Sequence, residues 1–356
     1  MRTIGVRPAA LVVVFAGLCT ASAVVVAQEF AAGRLPPAFA DYLNRVVKMP
    51  AADQTKLLQG LPVTRLLDAD PSTEVAIFGA VWVNAPITRY VAAVKDIEGF
   101  EKGHNFLVTK KISSPPQLED FAQLTVSQED FDDLRSCKVG SCEVKLGQAA
   151  LTRLQRDVDW SRPGAKADVD RTMRALALDY VNAYLEGGNA RLAEYRDSDR
   201  PRFIGKEFES MVDGMPSLGA YLPDIKRALV GFPTVSLPGS TSFLYWQQAK
   251  FGLKPTVRIN HVMIVEQPDR TVVTSKMLYA SHYFWTALEL RVLAPDPSRG
   301  EGFWFASVNR SRSDGLSGFV GSLLRSKVRG EAEKGMQAAL NATKTMLEGR
   351  TAAATK

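Results

Sequence analysis

Few side chains in this sequence are placed where they could do acid–base chemistry, and the clearest is an imidazole. In the run from Pro255 to Val265, strict alternation puts Val257, Ile259, His261, Met263 and Val265 on one face of a strand. An imidazole on such an apolar face either hydrogen-bonds a ligand head group, serves as a base, or packs as a satisfied core residue. One strand later, Ser275, Met277, Tyr279 and Ser281 share a face by the same period. That alternation predicts that Tyr279 directs a hydroxyl either into a pocket beside Met277 or into the core. His261 and Tyr279 are thus the candidate catalytic residues. Glu289 and Arg291 interrupt the apolar run Trp285–Leu293 two residues apart, as an ion pair or as a polar anchor in a cavity; Arg258 and Asn309 have the same two readings.

Other reaction centres lack their marks. Ser281-His282 has no nucleophile-elbow context, and neither a glycine-rich phosphate loop nor a His pair flanking a Glu is present. Cys137 and Cys142, spaced Cys-Lys-Val-Gly-Ser-Cys, read as a disulfide in an oxidising compartment. A zinc site would need further ligands, yet beyond these two cysteines the residues after 27 offer only His104, His261 and His282. A redox pair is more often spaced Cys-x-x-Cys. No metal and no cofactor is therefore expected.

The compartment follows from the first 27 residues. Arg2 and Arg7 precede an uncharged run from Ala9 to Ala27 that ends Val25-Val26-Ala27, the tripartite form of a secretory signal peptide, with Ala23 as a second cleavage point. The run is also close to the roughly 20 residues that span a bilayer, so an uncleaved chain would be tethered. The expected location is periplasmic or secreted. Without Arg2 and Arg7 the formal charge of +6 falls to +4, and its Lys and Arg residues are scattered rather than set in a stripe. That distribution argues against a nucleic-acid partner and leaves room for a peripheral membrane contact.

Positioning these residues requires four segments. Residues 28–73 form a helical lead-in with Phe39, Tyr42, Leu43, Val46 and Val47 at helical spacing. A strand follows at Glu74–Val83, then a helix at Ile87–Lys95 with Asn84 as candidate cap, then strands at Asn105–Ile112 and Phe121–Val126. Residues 127–239 read as helical, carrying the cysteine clip at their entrance. Five runs then alternate to Ser311 as an antiparallel meander, broken at Gln267-Pro-Asp269 and at Ala294–Gly300. The last helix, Leu316–Leu347, bears an apolar stripe with Gly330 and Gly335 in it, glycines that suggest close backbone approach or space for a ligand.

This order resembles the helix-grip fold of the START-related superfamily of lipid-transfer domains, polyketide cyclases and quinone-binding proteins. The resemblance rests on Val75–Pro86 at the front, and on Gly302–Asn309 leading into Gly318-Phe-Val-Gly321. It implies an α+β fold: a curved antiparallel sheet over residues 74–126 and 240–349 wrapped on the C-terminal helix, with residues 127–239 as a mostly helical insertion. It further implies a cavity between sheet and helix for an apolar small molecule or lipid, lined by His261, Met263, Met277, Tyr279, Phe305, Phe319, Val320 and Leu323. Two alternatives stand beside that expectation: a cyclase or hydrolase of an aromatic or acyl substrate on the same scaffold, and a non-catalytic envelope protein docking through the Val169–Tyr184 helix.

Overall fold

The computed structural model describes residues 33–251, 254–314, 316 and 318–349; the candidate signal peptide lies outside the described residues. The chain enters through α1 (Pro37–Tyr42), a π-helical turn and α2 (Ala51–Leu58), followed by β1 (Val63–Leu66) and β2 (Glu74–Val83). Helices α3 (Ile87–Lys95) and α4 (Ile97–Phe100) lead to β3 (Phe106–Lys111). The next stretch holds α5 (Gln128–Ser136), α6 (Gln148–Asp157) and α7 (Ala165–Gly187), the short paired strands β4 (Glu194–Tyr195) and β5 (Arg202–Phe203), then α8 (Ile204–Asp213), α9 (Pro216–Tyr221) and α10 (Pro223–Gly231). Strands β6 (Thr241–Phe251), β7 (Lys254–Glu266), β8 (Thr271–Ala280), β9 (Phe284–Pro295) and β10 (Phe303–Ser313) precede α11 (Gly318–Leu347).

The protein is α+β, with one curved eight-stranded antiparallel sheet ordered β1-β2-β10-β9-β8-β7-β6-β3. Strands β6 to β10 pair each with the next, the expected meander, and β2 closes onto β10 from Phe303 opposite Val83 to Arg312 opposite Glu74. All ten residues of β2 are buried, because both faces of the sheet are covered and neither side chain parity reaches water. On one face Ile77, Val81, Phe303, Phe305 and Val273 pack with α3 and with Met336, Leu340 and Leu347 of α11. The other face carries two clusters. Phe78, Trp82, Leu290, Trp304 and Val308 meet the lead-in and α8 to α10, while Leu244, Trp246, Ile259 and Leu278 meet α7 and Ile204. Helices α7 to α10 therefore form a layer on the sheet, while α5 and α6 pack with the start of α7 in a cluster of their own.

Four local expectations are corrected. The strand read at Phe121–Val126 is instead a 3₁₀ turn at Leu118–Phe121 followed by irregular chain. Asp120 accepts from Ser113 N (3.1 Å), Ser113 Oγ (2.8 Å) and Gln117 N (2.8 Å), and this local satisfaction competes with a ladder. Asn84 does not cap α3, whose N-cap is Pro86; its backbone N–H donates to Glu348 at the end of α11 (2.9 Å). Gly330 and Gly335 meet no described atom within 4 Å, so close approach is not made there. It is made on the strand, where a Cβ at Gly79 would lie 2.6 Å from Met336 Cγ and 2.9 Å from Leu340 Cδ1. Finally, Met277 and Tyr279 do not share a face. Asn260 pairs with Met277 and Ile259 with Tyr279, so Leu278 is an extra residue, a bulge that turns Tyr279 toward the α7 side.

Candidate functional site

A cavity of about 270 Å³ lies on the face of the sheet away from α11. Its floor is β9 and β10, through Leu290, Val292, Trp304, Ala306 and Val308, and its roof is α1 and α9, through Phe39, Tyr42, Leu218, Tyr221 and Leu222. Aromatic rings hold the roof in place. Tyr42 meets Phe78 at 5.9 Å and stands edge-on to Tyr221 at 5.3 Å, and Phe39 meets Trp304 at 5.8 Å. Tyr221 is fixed in turn by donating its hydroxyl to Asp41 (2.6 Å). Among the described lining residues only Asp269 and Arg270, from the β7–β8 turn, are charged. The arrangement offers apolar contact with a charged pair at one side.

A second, smaller cavity of about 80 Å³ lies on the same face between β7, β8 and α10, and here the sequence candidate His261 is found. The tip of α7 supplies its partner, since Tyr184 Oη and His261 Nδ1 are 2.9 Å apart. Phe232 lies edge-on to the imidazole at 4.6 Å. Burial, followed by the charge of Lys276, lowers the His261 pKa to about 3, so the ring is neutral. Lys276 is the cross-strand neighbour of His261. Its amine donates to Asn189 Oδ1 and lies 4.2 Å from the Phe208 ring. Burial lowers its pKa to about 7, with Glu209 opposing the shift. Asn189 is itself held by donating to Val230 O (3.0 Å) and Leu229 O (3.3 Å). Thr274, 1% exposed, also lines the cavity, and its hydroxyl has no partner among the described residues.

A third group of polar side chains sits on the α11 face. Glu101, at the end of α4, accepts from Tyr245 Oη (3.2 Å) and Gln247 Nε2 (2.5 Å), and Arg258 donates to Gln247. Burial and the nearby Glu289 raise the Glu101 pKa. Glu289 and Arg291 pair with one another, as one reading of their spacing had it, on strand β9 and with side chains largely buried.

Of the remaining candidates, Met263 lines the small cavity with His261, while Tyr279 lines neither described cavity. Tyr279 donates to Lys145 O (3.0 Å) between Tyr180 and Tyr195. Met277 is buried, and Phe305 stands edge-on to Tyr90 at 5.1 Å on the α11 face. The side chains of Phe319, Val320 and Leu323 lie outside the described residues. Cys137 and Cys142 form the disulfide, with Cα atoms 4.6 Å apart. It closes a loop in which Gly140 takes a φ of +89° and donates to Arg196 O (2.7 Å).

Sequence reasoning missed Lys276, Thr274, Asn189, Tyr184 and Glu101. Lys276 had a legible mark, as the one charge in the run Thr271–Ala280. Asn189 and Tyr184 had none, because they reach β8 and β7 across more than seventy residues of chain. Neither a protein-family model nor a curated protein matches this sequence.

Proposed function

We propose that this is an exported protein of helix-grip type that binds an apolar small molecule, with its seat in the cavity between the lead-in, α9 and the sheet. The observation that carries the reading is that cavity, about 270 Å³ and lined mainly by aromatic and aliphatic side chains. Such a space is retained when a ligand supplies the contacts the protein does not make. Two features support the helix-grip reading. Strand β2 returns to pair with the last strand, and α3 and α11 cover one face of the sheet together. The seat differs from the one the resemblance implies, since it lies on the opposite face, where the lead-in and the helices before β6 add a second layer.

The volume sets the ligand class. It lies just below the range of about 300–1,000 Å³ usual for ligand sites, which suits one acyl chain or a quinone-sized ring system rather than a whole diacyl lipid. Burial of each methylene contributes about 0.8 kcal/mol, so a chain of about ten carbons or more is needed to supply the roughly 8 kcal/mol of micromolar binding. The helix Val169–Tyr184 gives the docking alternative no support, because Val169, Ala177, Val181 and Tyr184 are buried.

Titration of the purified protein with N-phenyl-1-naphthylamine tests the reading. Saturable fluorescence enhancement is expected, and Ala306→Trp, which fills the cavity from β10, is expected to abolish it while leaving the circular dichroism unchanged. Equal enhancement by the folded variant would remove this cavity as the seat.

A further inference from the structure

The small cavity has a chemistry the large one lacks. Its polar lining includes two donors side by side on β8, Lys276 and Thr274, and the imidazole of His261 directly opposite Lys276 on β7. No acidic side chain lines it among the described residues, nor does any carboxylate there pair with Lys276. Asn189 supplies one neutral acceptor to the amine, and the Phe208 and Tyr184 rings supply their faces at 4.2 and 5.1 Å. A buried amine held this way has no carboxylate in contact among the described residues, feeling only the charge of Glu209 on α8, and a buried hydroxyl with no partner costs free energy until something accepts from it.

The geometry points to a binding site for a small carboxylate in this cavity, its oxygens accepting from Lys276 Nζ and Thr274 Oγ1 and its short apolar end lying against Met263 and Leu229. The size fits this class. One water needs about 10–15 Å³ of such volume, so about 80 Å³ admits a ligand of a few heavy atoms. The site is separate from the large apolar cavity: no residue lines both. It therefore stands or falls independently of naphthylamine binding there.

Titration of the protein with [1-¹³C]butyrate, followed by NMR, tests the assignment against the neutral isostere butyramide. Saturable butyrate binding is expected, with butyramide weaker by more than about tenfold, the weight of one charge-assisted hydrogen bond. Lys276→Met, which keeps an unbranched side chain one atom shorter and removes the charge, is expected to lose butyrate binding by at least the same factor. Thr274→Val, nearly equal in volume, should weaken it by a smaller factor with the fold unchanged. Absence of saturable binding to wild type, equal affinity for the amide, or full affinity in folded Lys276→Met would overturn the proposal.

Discussion

Lys276 illustrates how one side chain can work against the fold that holds it. Its pKa falls from 10.5 to about 7 because burial strips water from the ammonium. Between those values the unfolded chain binds the proton and the folded chain does not, so this residue makes stability rise with pH across that window. Below about pH 7 both states are protonated and the full cost is present. Lys276→Met should therefore stabilise the ligand-free protein by about 1–4 kcal/mol near pH 6.5, a gain that shrinks as pH approaches 10.5. Urea unfolding of both proteins at pH 6.5, 8 and 9.5 checks this, in a range where His261, with a pKa of about 3, stays neutral. A gain that does not vary with pH would mean that the amine is not desolvated. Such a residue was partly legible beforehand, as a single charge in an apolar strand; its neighbours Tyr184 and Asn189 were not, because contacts across the fold leave no local pattern.

Among the elements, the contact of α11 with β2 is set by a glycine on the strand, not by those on the helix. Met336 and Leu340 occupy the space a side chain at Gly79 would need. Gly79→Ala should destabilise by about 1–3 kcal/mol through overpacking, and Met336→Ala in that background should restore part of the loss, a non-additivity that thermal unfolding of the four proteins would measure. Additive effects would show that the two do not share the space. The end of the same helix is fixed to the start of α3, through Glu348 with Asn84 N and through Arg89, which donates to Leu347 O (3.0 Å). Helical periodicity foretold α11 and its apolar stripe. It did not foretell which glycine permits the approach, since a glycine in a strand and one in a helix look alike until the elements are paired.

For the molecule as a whole, a buried ion network joins the layers. Glu74 of β2 accepts from Arg310 (2.6 Å) and Arg312 (3.0 Å) of β10, Arg312 continues to Glu207 of α8 (3.2 Å), and Arg310 donates to Asp68 O (2.8 Å). Glu74→Gln would leave two buried guanidinium groups short of charge, at a cost of about 3–5 kcal/mol. A fall of that size in the free energy of urea unfolding is the expected result, and a change under 1 kcal/mol would show that the network does not hold the layers together. By itself the sequence determined the five-strand meander, the long final helix, the pairing of Cys137 with Cys142 and the apolar strand face bearing His261. Each of these follows from spacing along the chain: period two, period 3.6, or a short loop. Only the tertiary structure decided which layer covers His261, that Tyr279 is turned away by one extra residue at Leu278, and that the large cavity opens under α1 and α9. Those depend on which distant segments pack on which face of the sheet, a choice made by the burial of whole surfaces and written in no local repeat.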